Sequence, residues 1–270
     1  KQKYLISGVK GDLVGCVAFS EPFMDFDSKN IKTTATKSGE TYIINGSKNF
    51  IANSIESDYV IVTAKTESKS KSEGIRIFIV ETNLPGVNYI KQNKLGSHNS
   101  DMTEISFENV KIPLGNLLGE PEEEFDLIEH SIYGSLSMAS ISLGTSQFAL
   151  ERTLKYLKER ELFGDPVAKF QVLRHRIARM ASEIELNRQF LINLYTKFER
   201  GNSLFKEALM AKLLATQLCD RIMLQSFQTF GGEGLIDEYP LTRILRNSKS
   251  EQIGGGTSEI LCEILSKVII

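Results

Sequence analysis

Two glycine clusters near the carboxyl end of the chain have the spacing to approach a negatively charged ligand. Residues 228–235 read QTFGGEGL, and residues 253–260 read IGGGTSEI. Glycine has no Cβ, so its backbone N–H group can come close to a phosphate. Where such a cluster opens a helix, unpaired N–H groups and the helix dipole add to this attraction. Glycines between helices also serve as caps and turns, and the clusters alone favour that second interpretation.

The composition is that of a globular protein and excludes several functional classes. The chain has 270 residues, of which 41% are hydrophobic and 24% charged, and its formal net charge is −2. This length predicts one large or two ordinary domains, and this charge gives no basic field that would recruit nucleic acid or anionic lipid. The sequence contains no apolar run approaching the roughly 20 residues that span a bilayer. Since residue 1 opens no secretory signal pattern, we expect a protein of the cytoplasm or of an organelle matrix.

Cysteine and histidine are too scattered to predict a metal site. The chain has three of each, and the cysteines are Cys16, Cys219 and Cys262. Their spacing matches no set of metal ligands. We therefore expect no metal, and reduced cysteines that mostly pack as small apolar residues.

Residues 1 to about 116 have the pattern of a β domain. Short apolar runs rich in branched residues occur at 14–19, 59–64 and 75–80, and each predicts a buried strand. The dipeptide Asn45-Gly46 stands between apolar arms, which predicts a hairpin turn there because both residues accept positive φ. Strands at this spacing predict a small antiparallel barrel or sandwich.

After Pro113 the apolar period becomes helical. Helices are predicted from about Phe125 to Arg160, from Leu173 to Phe198, from Phe205 to Phe227, and after Thr257. Short connections between them favour an antiparallel four-helix bundle. The predicted fold is therefore α+β, with a β domain at 1–116 and a helical domain at 117–270.

The order of several short motifs is more specific than any of them alone. The motifs are Ser20-Glu21-Pro22, NGSKNFI at 45–51, RELFG at 160–164, Glu238-Tyr239-Pro240, and GTSEI at 256–260. In this order the chain resembles the acyl-CoA dehydrogenase flavoprotein family over nearly its whole length. The chain starts where the family's first, all-helical domain would end, so the resemblance implies that this N-terminal domain is absent here.

The resemblance implies an FAD site between the β domain and the helical domain, across a dimer interface. The β domain would hold the flavin ring, and the helical domain the pyrophosphate and adenine, in a homodimer or homotetramer. The implied cofactor residues are Phe19, Ser20, Phe26, Phe50, Ile51, Ala52, Arg160, Phe163, Gln171, Gln228, Gly231, Gly232, Thr257 and Glu259. The implied substrate contacts are Phe26, Tyr133, Gly134, Ser135, Gly255 and Gly256. The chemistry agrees for Arg160, since a guanidinium offers a planar fork of donors to phosphate.

The catalytic carboxylate implied by the family pattern is missing from both of its positions. One position, just before the Gly-Thr of the last motif, is Gly255, and the other, on the first helix of the bundle, is Gly134. Ala52 also replaces a threonine that faces the flavin. Glu129 is the nearest carboxylate on that helix and our candidate base, although five residues from Gly134 it points roughly 140° away. A solvated acid near the helix start is the favoured alternative for Glu129.

These features together imply an FAD-dependent dehydrogenase or oxidase that acts on an acyl or aminoacyl thioester. The thioester would be carried on CoA or on an acyl carrier protein, and electron-transfer flavoprotein or oxygen would accept the electrons. Two alternatives stay open, namely a non-catalytic subunit of a hetero-oligomer and a flavin monooxygenase on the same scaffold.

Overall fold

The structure is a computed structural model, and it describes residues 2–22, 30–66, 74–119 and 127–270. The chain forms two compact units, Lys1–Asp126 and Leu127–Ile270. The division falls ten residues after the boundary at 116 that the sequence pattern suggests. Each unit has its own hydrophobic core.

The N-terminal unit is a sheet preceded by a short helical segment. A π-helical turn, Gln2–Ile6, continues into α1, Ser7–Lys10. The strands are β1 Gly15–Ala18, β2 Thr34–Ser38, β3 Thr41–Ala52, β4 Tyr59–Thr66, β5 Gly74–Glu81, β6 Val87–Lys91, β7 Met102–Pro113 and β8 Leu117–Leu118. Alternate residues of β4 (Val60, Val62 and Ala64) are fully buried, as expected for a strand that lies against a core.

The sheet is mixed rather than purely antiparallel. Among the described residues its eight strands run in the order β6-β7-β3-β2-β4-β5-β8, with β1 paired to β4. The pairings of β1 and β2 with β4 are parallel, and the others are antiparallel. The predicted α+β class is confirmed, while the described strand order does not close into a barrel.

The hairpin predicted at Asn45-Gly46 is wrong, because β3 runs straight through this dipeptide. A bulge shifts the register of β3 against β7 between Ile44 and Gly46, and Gly46 has φ +143°. A Cβ on Gly46 would lie 2.6 Å from the Cα of Thr33, so glycine is required by a close approach of two chains. The turn that joins β2 to β3 falls earlier, at Gly39.

The C-terminal unit is helical. Its helices in the described part of the chain are α2 Leu127–Glu159, α3 Gln171–Glu199, α4 Phe205–Phe230, α5 Pro240–Ile253 and α6 Ser258–Ile269. A two-stranded pair, β9 Glu161–Leu162 and β10 Asp165–Pro166, joins α2 to α3. The sequence reasoning missed α5, a short and mostly polar helix that buries only Leu241 and Ser248.

Contacts between helices establish that successive helices run antiparallel. Tyr195 on α3 bonds to Ser140 on α2, and Arg188 bonds to Gln147. On the other side of α3, Arg176 bonds to Thr229 and Glu183 pairs with Arg221 on α4. The end of α4 meets the start of α5 through the rings of Phe230 and Tyr239, and Asp220, near the middle of α4, meets Lys249 near the end of α5. Helix α6 then packs on α4 through a small cluster around Leu209 and Leu261.

Within the described ranges, we find no helix that combines the length and the apolar character needed to cross a bilayer.

Candidate functional site

In the N-terminal unit, two segments with predicted flavin contacts lie side by side. The N–H of Asn49 donates to the carbonyl of Ser20 at 2.8 Å, which joins residues 19–20 to the end of β3. Phe50 has φ +59° and an exposed ring. This conformation is held by the Asn49 side-chain oxygen, which accepts bonds from the Phe50 N–H and from Gln92. The two segments thus form one continuous surface.

The three cofactor contacts predicted at the end of β3 differ in how exposed their side chains are. Phe50 and Ala52 are exposed, whereas Ile51 is 2% exposed and belongs to the core of the sheet. Only the backbone of Ile51 can therefore contact a cofactor. Phe26 lies outside the described residues, so its predicted contacts are not placed.

A buried ion pair fixes the segment after β1 against the sheet. Lys48 Nζ lies 2.7 Å from Glu21 Oε1, and the two side chains are 0% and 3% exposed. The ammonium also donates to the carbonyl of Phe19 at 3.1 Å and to Thr63 Oγ1 at 3.0 Å. Glu21 accepts the N–H groups of Lys32 and Thr33 as well. Each donor and acceptor of the pair is thus satisfied, as a buried charge requires.

The pair stays ionised at neutral pH. Burial lowers the pKa of Lys48 to about 8, although the bond to Glu21 opposes this shift. Burial alone would raise the pKa of Glu21, but Lys48 and the two backbone N–H groups outweigh it, so the pKa lies below its usual value. Sequence reasoning placed both residues within motifs but did not pair them.

A second carboxylate holds the turn that follows Ala52. Asp101 accepts the N–H of Ser54 at 3.0 Å and that of Ile55 at 2.5 Å. Ser54 in turn bonds to Thr103 at 2.6 Å. Asp101 thereby fixes the direction in which the chain leaves the exposed Phe50–Ala52 surface, a role that no sequence signal indicated.

In the C-terminal unit, Arg160 and the first glycine cluster come together. The Arg160 guanidinium lies 3.7 Å from Glu233 on the 3₁₀ segment Gly231–Leu235, and both side chains are partly exposed. Nearby, the rings of Tyr156 and Phe230 stack at 4.3 Å between centroids. This stacking fixes the end of α2 against the end of α4, and so it sets Arg160 beside the glycines.

Two of the three glycines of this cluster leave space for a ligand. Gly231 has φ +58°, and a Cβ on Gly231 or Gly232 would meet nothing within 4 Å. Gln228, one turn earlier on α4, is exposed. The open backbone and the neighbouring guanidinium suit a phosphate group.

Two more predicted contacts of this unit lie between the end of α2 and the first residue of α3. Phe163 has φ +55° and is 95% exposed, with its ring edge-to-face to Phe170 at 6.5 Å. Gln171 is the first residue of α3 and is exposed. Both side chains are therefore available to a ligand.

A buried lysine holds the second glycine cluster. Lys212 on α4 is 1% exposed, and its ammonium donates to the carbonyls of Gly254 at 2.6 Å and Gly256 at 2.7 Å. Burial lowers the pKa of Lys212 to about 8. A Cβ on Gly255, which has φ +67°, would lie 3.5 Å from this ammonium. Sequence reasoning missed Lys212, since its partners lie more than forty residues away.

The glycine loop that Lys212 holds leads directly into α6. Thr257 is the N-cap of this helix, and its hydroxyl accepts the N–H of Ile260 at 3.4 Å. Glu259 in the first turn is exposed, and hydrogen bonds to its backbone and to Thr257 hold its pKa below the usual value. Lys212 therefore fixes both Gly256 and the helix start that follows it.

The predicted substrate contacts on α2 have unequal access. Tyr133 and Gly134 are exposed, and the Tyr133 ring packs edge-to-face on Phe198 at 5.3 Å. Ser135 is 3% exposed and so is buried in the bundle. Glu129 lies on α2, and its side chain falls outside what the structure describes.

Glu251 is a further carboxyl group that sequence reasoning missed. It projects from α5 and accepts a bond from Ser142 on α2 at 2.7 Å. Burial raises the pKa of Glu251, while the bonds from Ser142 and Thr145 act in the opposite direction. These bonds assign the group to the packing of α5 on α2.

Comparison with protein families decides which family this arrangement represents. Residues 16–110 match the family model described as acyl-CoA dehydrogenase, middle domain, and residues 132–270 match acyl-CoA dehydrogenase, C-terminal domain. The chain belongs to the acyl-CoA dehydrogenase family. The acyl-CoA dehydrogenase of Bacillus subtilis (strain 168) is 36% identical to it, over 100% of this chain and 72% of that protein.

Solved structures of acyl-CoA dehydrogenase family members agree with the fold. The acyl-CoA dehydrogenase of Geobacillus kaustophilus superposes with a TM-score of 0.95 at 35% identity, over 100% of this chain and 72% of that one. The prolyl acyl carrier protein oxidase AnaB superposes with a TM-score of 0.93 at 27% identity, over 99% and 71%. A glutaryl-CoA dehydrogenase from Mycobacterium smegmatis, solved in complex with FADH2, gives 0.92 at 26% identity, over 100% and 69%.

FAD is the cofactor of this acyl-CoA dehydrogenase family member. The described residues fit such a group, because the open backbone at Gly231 and Gly232 lies beside a guanidinium that is partly exposed.

We expect the substitution Lys48→Met to destabilise the acyl-CoA dehydrogenase fold by about 3–5 kcal/mol, because it leaves the carboxylate of Glu21 buried without its counter-ion. The free energy of unfolding in urea measures the effect. Lys155→Met is the matched control, since Lys155 and Glu159 are both 65% exposed and 3.9 Å apart, and its loss should be below about 1 kcal/mol. A loss at Lys48 no larger than that of the control would contradict the assignment.

We expect Lys212 to make the fold more stable as pH rises from about 8 to 10.5, the folded and unfolded pKa values of this group. Across that interval the unfolded chain keeps a proton that the folded chain releases. The neutral amine still has two N–H donors for the two glycine carbonyls. Lys48 titrates in the same range, so the measurement is the difference in unfolding free energy between wild type and Lys212→Met. A difference that does not change with pH would refute the prediction.

Proposed function

We propose that this chain is an FAD-dependent oxidoreductase that acts on an aminoacyl or acyl thioester. Two observations together carry the proposal. The chain has features suited to holding a flavin nucleotide, and it has glycine at both positions where the catalytic carboxylate is expected. Arg160 and Gly231 would bind a phosphate, and the exposed ring of Phe50 would pack on a planar ring. Gly134 and Gly255 have no side chain to act as base.

The lack of a carboxylate at these positions favours a substrate with an amino group. Removing a proton from carbon next to a thioester requires a positioned base with a raised pKa. Oxidation of a C–N bond has a weaker requirement, since the departing proton comes from nitrogen. FAD would supply the acceptor for the hydride from the adjacent carbon, and the proton from nitrogen would pass to water, which leaves a C=N bond.

The residues of the chain would bind and orient rather than transfer protons. Arg160 would hold a phosphate, while Gly255 and Thr257 would present backbone N–H groups before α6. The pair Lys48–Glu21 would keep the carbonyl of Phe19 in place. An acyl carrier protein as the thioester carrier is supported by the likeness to AnaB, the prolyl acyl carrier protein oxidase, and by Ser135, which is buried where the family pattern has an arginine for the substrate.

The deciding experiment is anaerobic reduction of the purified flavoprotein by a panel of thioesters. We expect the visible flavin absorbance to bleach with an aminoacyl thioester such as a prolyl group on a carrier protein, and to change slowly with simple acyl-CoA compounds. Subsequent mixing with oxygen or with an electron-transfer flavoprotein identifies the acceptor.

A non-catalytic subunit is the second candidate, and the same missing carboxylate favours it. If every thioester leaves the flavin oxidised, and a related chain that carries the glutamate co-purifies, the catalytic proposal is wrong and the subunit hypothesis replaces it. A homo-oligomer that is reduced by a thioester would eliminate the subunit hypothesis.

We expect the substitution Gly134→Glu to accelerate flavin reduction by simple acyl-CoA substrates. The position is exposed and a Cβ there meets nothing within 4 Å, so a carboxylate can be added without strain. Gly144→Glu is the matched control, because Gly144 is an exposed glycine of the same helix with equally open surroundings. The rate of bleaching in a stopped-flow instrument measures the effect, and equal rates in the two variants would count against the role of position 134.

We expect Gly255→Glu, by contrast, to give little or no activity. Its backbone has φ +67°, which costs about 1–3 kcal/mol for a residue with a side chain. The nearby Lys212 ammonium would also lower the pKa of the new carboxyl group, which makes it a weak base. Flavin bleaching as fast as in Gly134→Glu, together with an unchanged free energy of unfolding, would refute this prediction.

A further inference from the structure

The second glycine cluster leaves an open position beside the ammonium of Lys212. Gly255 is exposed and has φ +67°. A Cβ built on it would lie 3.5 Å from Lys212 Nζ, and among the described residues no other heavy atom beyond the two chain neighbours would come within 4 Å of that Cβ. We call this space the Gly255 position. It gives a small group access to the ammonium, although Lys212 itself is 1% exposed.

The hydrogen bonds of Lys212 are incomplete. A lysine ammonium has three N–H donors, and the carbonyls of Gly254 and Gly256 accept two of them. No further hydrogen bond of this ammonium is found across the described ranges of the chain. An oxygen that enters the Gly255 position is close enough to accept the third N–H.

The charge of Lys212 also lacks a counter-ion. No described carboxylate forms an ion pair with its ammonium, whereas Glu21 lies 2.7 Å from that of Lys48. Burial lowers the pKa of Lys212, and no carboxylate opposes this shift as Glu21 does for Lys48. Because a buried charge without a partner is costly, an anion at the Gly255 position would stabilise the ammonium.

The start of α6 adds to the preference for an anion. Thr257, two residues after Gly255, is the N-cap of this helix of 12 residues, and the N-terminal end of a helix attracts negative charge. The residues suited to a phosphate, Arg160 and Gly231, lie on other segments of the unit. Gly255 belongs instead to the predicted substrate contacts, so the anion is expected to be part of the substrate.

We propose that Lys212 binds a carboxylate carried by the acyl group of the substrate, with one oxygen at the Gly255 position. The inference rests on the proposed function for the identity of the ligand, and it narrows the substrate to a thioester whose acyl group is acidic. It also gives the glycine at 255 a role, since a side chain there would occupy the place of that oxygen.

The first experiment measures anion binding without the reaction. The FAD-loaded protein is titrated with acetate and with its neutral isostere acetamide at constant ionic strength, and binding is followed by ligand-observed NMR. The variant Gly255→Ala fills the position and keeps Lys212. The matched control is Gly201→Ala, because Gly201 is also exposed, has φ +76°, and would place a Cβ with nothing within 4 Å. Urea unfolding checks that both variants are folded.

We expect acetate to bind the wild type at least about tenfold more tightly than acetamide, equivalent to about 1.4 kcal/mol. Gly255→Ala removes this preference, and Gly201→Ala retains it. The proposal is overturned if the wild type binds acetate no more tightly than acetamide, or if the preference for acetate survives in Gly255→Ala.

The second experiment compares glutamyl and glutaminyl thioesters on a carrier protein as reductants of the flavin. The two acyl groups have nearly the same shape, and only the first carries a carboxylate. We expect the second-order rate constant of flavin bleaching to be at least about tenfold higher for the glutamyl thioester, again about 1.4 kcal/mol, and Gly255→Ala to remove the difference. Equal rate constants in the wild type would refute the assignment of the anion to the substrate.

The two experiments separate this inference from the proposed function. If acetate binds as expected and neither thioester bleaches the flavin, the anion subsite at Lys212 stands and the failure belongs to the proposed reaction. If both thioesters bleach the flavin and acetate does not bind, the reaction stands and the subsite is wrong.

Discussion

Burying an ammonium group costs several kcal/mol unless its hydrogen bonds are replaced, and among the described residues each unit buries one such group. In the N-terminal unit Lys48 replaces water with a carboxylate, a carbonyl and a hydroxyl. In the C-terminal unit Lys212 replaces it with two glycine carbonyls. Both lysines lie behind segments that have little regular structure of their own, so each fixes a loop that a hydrophobic core could not hold.

The two lysines explain how segments without helix or strand structure can keep a fixed conformation at the surface. The described part of the segment after β1 and the glycine loop before α6 both lack helix or strand structure. Lys48 and Lys212 bind these segments from the inner side and leave the outer side open. The same logic applies to Asp101, which holds the turn after Ala52 through backbone N–H groups.

Sequence patterns predicted the elements better than the contacts. The long apolar stripes predicted nearly the full extent of α3 and α4, because packing against a core imposes the helical period. The short helix α5 escaped detection because most of its residues are polar. It packs on the core through Leu241, Ile244 and Leu245, and polar contacts of Glu251 and Lys249 add to this packing. Asn45-Gly46 was misassigned because a turn and a close approach of strands both demand glycine, and only the position of Thr33 distinguishes them. The partners of Lys212 could not be predicted, because a residue of any type can supply a backbone carbonyl.

The contact between Gly46 and Thr33 also limits which residues the chain can carry at position 46. A methyl group at 46 would overlap the backbone of residue 33, not only its side chain, so no smaller residue at 33 can compensate. Changes at 46 must instead be accompanied by a shift of a whole strand and of the chain segment that carries Glu21's hydrogen-bond donors, Lys32 and Thr33. A side chain at position 46 would therefore also disturb the hydrogen bonds that hold the carboxylate of Glu21.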